Sequence, residues 1–239
     1  MVGKQGINDF WFSPALAAID LSGSLLVGDV QSGMALRPGN LPGAEPGEYA
    51  KAQVSGSTAF VTRWQNYKSS VLVLQSGKLE TLLDDPARDF QEFVTDGVVM
   101  VWKEGSGPDS ATASAPPSFS RYDLLVSPFA TNAAKLQPRV LLRNVEPTLG
   151  WLRLANGRLS GMYLSKTTDP IRSGALMVEA GSGKAFRSEL PNEYSYGYGL
   201  FTSESELWGA ITRDPLIHFE TYIRVPYSAL TQIQSAFPE

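Results

Sequence analysis

A chain of 239 residues that is 43% hydrophobic is long enough to bury a sizeable core, and it holds no apolar run near the roughly 18 residues of a helical membrane span. Its 20 basic and 24 acidic residues are dispersed and sum to −4, so neither a nucleic-acid backbone nor an anionic membrane is an expected partner. With no cysteine, disulfides, thiolate zinc sites and cysteine nucleophiles are excluded together, while the compartment stays open.

At the N-terminus, Lys4, the stretch Phe10 to Ala18 and the small residues Ala15-Leu16-Ala17 have the outline of a secretory signal. Asn8, Asp9 and Pro14 break its apolar run, and Leu16-Ala17-Ala18-Ile19 falls 44 residues before the strand-like Phe60-Val61-Thr62-Arg63. The chain is therefore expected to be unexported or already trimmed. The first unit reads as strands Ala15 to Ile19 and Leu25 to Val30, followed by the turn Gln31-Ser32-Gly33-Met34.

In the second unit, Ser55-Gly56-Ser57 opens a strand from Thr58 to Trp64. Further strands follow at Ser70 to Leu74 and, after Ser76-Gly77, at Leu79 to Leu83. Asp84-Asp85-Pro86-Ala87-Arg88-Asp89 cannot continue a strand, and Phe90 to Val94 is expected as the fourth. Asp84, Asp85, Asp89 and Glu92 cluster without the spacing of a calcium loop, so they read as a solvated turn and no metal or other cofactor is assigned.

Asp96-Gly97 restarts the pattern with Val98 to Trp102, Tyr122 to Val126 and Arg139 to Leu142. The low-complexity insert from Gly105 to Ser118 reads as a solvated loop or a lip beside a binding face. Asn156-Gly157 restarts again with Leu159 to Leu164, Gly174 to Val178, the turn Gly181-Ser182-Gly183 and Ala185 to Ser188. That turn with Lys184 is no phosphate loop, because Val178 and Ala185 stand where glycine and a hydroxyl residue are required. Tyr194-Ser195-Tyr196-Gly197-Tyr198 would set three tyrosines on one face of a strand, either as packing or as a recognition patch. The last unit holds Leu207 to Ile211 and Thr221 to Val225.

The turn glycines Gly33 and Gly77 lie 44 residues apart and Gly183 lies 106 further on, about two more steps. A period of this size means repeated blades or a solenoid of short strands. Gly97-Val98-Val99-Met100-Val101-Trp102, then Tyr122-Asp123-Leu124, the Ser-Gly-Lys turns and the polar Asp-Pro exit resemble the TolB-like, PD40-related β-propeller repeats of bacterial envelope and secreted proteins. The resemblance implies an all-β propeller of about five four-stranded blades, either complete or part of a six- or seven-bladed ring. Approximate blades are 7–48, 49–94, 95–154, 155–202 and 203–239. It also implies a periplasmic or extracellular protein-binding platform.

His218 is the only histidine and no Gly-x-Ser-x-Gly elbow exists, so no catalytic residue is assigned and hydrolase chemistry is not expected. A carbohydrate-active enzyme working through Asp20, Asp96, Glu104 or Glu206 is the alternative, and a sugar-binding propeller is another. Trp64, Trp102, Tyr163 and Trp208 recur near strand ends. They serve either as wedge fillers between sheets or, with Arg63 and Lys103, as a rim that anchors a protein or peptide.

Overall fold

Short apolar runs, continuous in middle strands such as Val71-Leu72-Val73-Leu74 and mixed with polar residues elsewhere, cut by Gly, Asn and Ser turns, make strands of nearly every segment. The computed structural model describes residues 7–21, 24–66, 68–109, 118–165, 172–189, 195–202, 205–212 and 221–233. Within them lie twenty strands and three single-turn 3-10 helices. Among the described residues no helix is long and apolar enough to cross a membrane.

Consecutive antiparallel strands form a series of small sheets in a β-propeller arrangement. The first holds β1 (Ile7–Phe12), β2 (Leu16–Leu21), β3 (Ser24–Asp29) and β4 (Ala35–Leu36). The second holds β5 (Glu48–Ser55), β6 (Thr58–Gln65), β7 (Lys68–Gln75) and β8 (Lys78–Leu83). The third is β9 (Arg88–Thr95), β10 (Val99–Asp109), β11 (Ser118–Pro128) and β12 (Arg139–Val145). The fourth is β13 (Gly150–Ala155), β14 (Arg158–Ser165), β15 (Arg172–Glu179) and β16 (Ala185–Glu189). The fifth is β17 (Ser195–Thr202), β18 (Glu206–Thr212) and β19 (Thr221–Pro226).

Four blades thus have their four strands, and among the described residues the expected fifth four-stranded blade has three. After β19, Pro226 and a single 3-10 turn, Tyr227–Ala229, redirect the chain. Leu230 then enters the core between the fourth and fifth sheets, and β20 (Thr231–Ile233) pairs with β16 instead of β19. A second difference concerns Phe90 to Val94, expected to end the second unit. It lies in β9, which opens the third sheet and pairs with β10. The Asp-Gly and Asn-Gly turns are hairpins inside a sheet, and the crossing between sheets is the polar stretch before them.

The Ser-Gly turn falls at one place in three blades, between the third and fourth strands. Gly33, Gly77 and Gly183 have φ of +66°, +75° and +73° there, the left-handed region in which a side chain is strained. The insert is partly ladder, since β10 and β11 stay paired out to Asp109 and Ser118; residues 110–117 lie outside the described residues.

Each junction between successive sheets encloses its own apolar wedge. Ala18, Val27, Val61 and Leu72 fill the first junction, and Phe60, Phe93, Met100 and Trp102 the second. Val101, Leu124, Leu159 and Leu176 fill the third, and Met162, Met177 and Leu207 the fourth. Among the described residues, no such cluster joins the fifth sheet back to the first.

Candidate functional site

The opening strands β1, β5, β9, β13 and β17 pack one against the next, which places them on the axial side of the arrangement. Each carries extra residues against its second strand. The register shifts lie between Ile7 and Asp9, Tyr49 and Lys51, and Tyr196 and Leu200, and in β9 and β13 opposite Trp102 and Gly161. Such bulges re-aim side chains and are frequent beside binding sites. In two of them the bulged residue is left-handed: Glu92 has φ +51° and Trp151 has φ +58°.

Glu92 ties three axial strands together. Its Oε1 accepts from Lys51 Nζ of β5 at 2.7 Å, and its Oε2 accepts from the Leu152 backbone N–H of β13 at 3.4 Å. Burial works to raise its pKa, but the ammonium groups of Lys51 and Lys103 and the Leu152 N–H outweigh burial and hold it below the usual carboxylate range. Next to Leu152 stands Trp151, 54% exposed. Lys51, Glu92 and Trp151 thus stand on three successive axial strands as a ledge in which the Lys51–Glu92 pair is joined to the third strand through the Leu152 N–H, next in sequence to Trp151.

Beneath it, Lys103 is 2% exposed. Its Nζ donates to Pro147 O at 2.8 Å and Leu149 O at 2.7 Å, and it sits 4.8 Å from the centre of the Tyr122 ring. Burial lowers its pKa to about 8, against the pull of Glu92 and Asp89. Tyr122 is pushed up to about 12, by burial first and then by Asp89. Asp89 accepts from the Ser69 N–H at 2.8 Å, from Gln91 and from the Tyr122 hydroxyl, so it pins the second sheet to the third.

The residues expected to make the rim separate into two groups. Arg63 is buried, with Nε on Ser70 Oγ and its other nitrogens on Glu45 and Asp84. Trp102, Lys103 and Tyr163 are buried as well, and Trp102 Nε1 donates to Glu104 Oε2 at 3.2 Å. Trp64 and Trp208 are exposed, the latter under the Arg224 guanidinium at 5.1 Å. The structure does not bring the six together.

The acidic residues weighed for chemistry are also dispersed. Glu104 receives Arg88 besides Trp102, Asp20 lies on β2, and Glu206 is 3.9 Å from Arg224. Asp84 meets Arg63, and Asp85 caps the Ala87 N–H at 2.8 Å. Among the described residues, no three His, Asp or Glu side chains converge as a metal site would require. His218 and Tyr194 lie outside the described residues.

Asp96 is a clamp between blades. Its Oδ1 accepts from the Val98 and Val99 N–H groups and its Oδ2 from the Gly157 N–H of the next sheet, all at 3.0 Å. Burial opposes the charge, yet these donors hold its pKa low. A groove of about 640 Å³ opens beside this clamp between the third and fourth sheets, lined by Val98, Pro128, Arg139 and Gly157 among others. Asp96→Ala leaves three N–H donors without their acceptor and is expected to cost about 2 kcal/mol, measured by urea unfolding. Asp96→Asn, which keeps one acceptor oxygen, should recover part of the loss.

Sequence reasoning missed Lys51 and Trp151 and met Glu92 only among acidic turn residues. Nothing in a one-letter pattern marks a bulge, because the extra residue is defined by the partner strand.

No protein-family model matches the chain, and no curated protein does. Among solved structures, the crystal structure of the tricorn protease is similar over 93% of this chain, with a TM-score of 0.54 and 9% identity. The N-terminal domain of Nup159 is similar over 97%, with a TM-score of 0.51 and 8% identity. The chain covers 27% of the first and 63% of the second. Both are propeller-type folds, and at these identities the likeness concerns the fold alone.

Proposed function

We propose that the chain is a non-catalytic propeller platform for a protein or peptide partner, of the TolB-like, PD40-related kind and working in the bacterial periplasm or outside the cell. The kind and the compartment rest on the repeat residues that resemble that family. The binding role rests on Trp151. A bulky residue in the left-handed region costs of order 1–3 kcal/mol and persists where the surroundings or a function hold it. Trp151 is more than half exposed, so wedge packing does not account for its placement. An exposed indole one residue from the N–H that meets a Lys–Glu pair has the composition of an interface anchor.

Glycine at 151 removes the ring and relieves the backbone together. Trp151→Gly is expected to leave the thermal midpoint unchanged or raised, and to weaken by tenfold or more the peptides selected on the wild-type chain from a random display library. A lowered midpoint with unchanged peptide binding would make Trp151 a structural residue and remove the ledge from the reading. A sugar site is the second reading, favoured by the same pairing of an aromatic face with a carboxylate and an ammonium. A thermal-shift panel of sugars separates the two, since a ligand at about 100 times its dissociation constant adds roughly 2.7 kcal/mol.

A further inference from the structure

Asn156-Gly157 is the one Asn-Gly pair in the sequence, and it forms the two-residue loop that joins β13 to β14, with Ala155 opposite Arg158. Asn156 has φ +51° and Gly157 φ +70°, the succession of left-handed residues that defines a type I′ turn. Asn156 is exposed. In such a pair the side-chain amide carbon and the next backbone nitrogen can close a five-membered ring, and glycine, without a Cβ, hinders that nitrogen least.

The reaction needs only water. The Gly157 nitrogen gives up its proton to solvent and bonds to Cγ of Asn156, and the bond from Cγ to the side-chain nitrogen breaks. That nitrogen leaves as ammonia, with a proton regained from solvent. One water then opens the cyclic imide at either carbonyl, giving aspartate or isoaspartate.

The closed turn holds the reacting atoms apart. A type I′ turn keeps ψ of its first central residue near about +30°, which sets the Gly157 nitrogen on the far side of the Cα–C bond from the Asn156 side chain. Attack therefore requires the peptide plane between the two residues to swing round. Gly157 is fastened against that swing on both sides: its N–H donates to Asp96 Oδ2 at 3.0 Å, and its carbonyl accepts from the Ala180 N–H at 2.8 Å. Asp96 belongs to the turn between β9 and β10, so the first of these bonds lasts only while the third and fourth sheets stay closed on each other. Asn156 and Asp96 both line the groove at this junction.

We infer that Asn156 is a deamidation site latched by Asp96, and that it registers opening of the junction between the third and fourth sheets. With the clamp closed the turn is inert, and local opening frees it for attack. The change is one-way. Either product puts a second carboxylate into the groove that Asp96 lines, where like charges oppose reclosure, and isoaspartate also adds a methylene to the backbone of a two-residue loop. Neither the ledge nor Trp151 enters this site, so loss of that reading leaves it standing.

Wild type, Asp96→Ala and Val27→Ala are incubated at pH 8, and conversion of Asn156 is followed by mass spectrometry of the peptides that contain it, with isoaspartate separated from aspartate by chromatography. A capped peptide of the sequence Arg153 to Leu159 gives the rate of the freed pair. The wild-type chain is expected to react at least roughly tenfold more slowly than the peptide, and Asp96→Ala to recover roughly tenfold of that protection, as loss of one charge-assisted hydrogen bond implies. Val27→Ala, which weakens the first junction instead, should stay within about twofold of wild type. Equal rates in wild type and peptide, or in wild type and Asp96→Ala, would overturn the inference. So would an equal rise in Val27→Ala, since the reaction would then follow global unfolding and not the clamp. Asp96→Ser serves where the alanine form does not fold, with the same acceleration expected.

Discussion

Trp102→Ala is expected to lower the unfolding free energy by about 3–5 kcal/mol, the largest loss of any single truncation proposed for this chain. Trp102 is 1% exposed and stands at the second junction, among Phe60, Phe90, Phe93 and Met100. Deleting the indole forfeits the transfer of a large apolar surface and leaves a void that strands of two sheets cannot close without breaking their ladders. It also leaves Glu104, itself buried, with Arg88 but without the indole N–H. For a domain whose stability is of order 5–15 kcal/mol, such a loss approaches the whole. The comparison variant is Trp208→Ala: that ring is 37% exposed and lies against the Arg224 guanidinium, so the same deletion should cost less, about 1–2 kcal/mol. Urea unfolding of the two proteins checks the pair. Equal losses would mean that the second junction does not carry the stability assigned to it.

The contrast between these two tryptophans also shows how far the sequence could be read. Both fall near an end of a strand-like run, and only the neighbouring sheet decides which is core. The glycine turns were legible because a positive φ is a property of one residue and its immediate neighbours: Gly33, Gly77 and Gly183 mark the same hairpin in three blades, and Gly56, Gly97 and Gly157 mark another. Strand existence followed for a similar reason. Blade membership was less legible, since Phe90 pairs forward with Glu104 in β10 and nothing local in the sequence distinguishes that from pairing backward. The three strands of the fifth sheet and the departure of β20 to β16 depend on Leu230 finding a place in a wedge made by distant residues. The ledge was least legible. Glu92 and Trp151 acquire their left-handed backbone from bulges set by β10 and β14, and Lys51 reaches Glu92 across 41 residues of sequence.

Lys103 places a second large effect beneath the same ledge, and its signature is a dependence on pH. In the unfolded chain its ammonium titrates near the ordinary value of 10.5, whereas burial brings it to about 8 in the fold. Between those values the unfolded state holds the proton more tightly than the folded one, so stability rises with pH through that window. The contribution is complete above about 10.5 and is lost as pH falls through 8. Relative to Lys103→Met, which cannot titrate, the wild-type chain is therefore expected to gain roughly 1 kcal/mol per pH unit from pH 8 upward, about 3 kcal/mol in all. Tyr122, raised to about 12, acts in the opposite sense: above pH 10 the unfolded state loses the phenolic proton first, and stability falls. The difference between wild type and Lys103→Met removes most of that term, because both keep the tyrosine. Urea unfolding of the two proteins at pH 7, 8, 9 and 10 measures it. A difference independent of pH would show that Lys103 is solvated in the folded chain and that its contacts to Pro147 and Leu149 do not persist. A difference that climbs from pH 8 would place a desolvated ammonium directly under Glu92, where its charge helps keep that carboxylate ionised and the ledge polar at neutral pH.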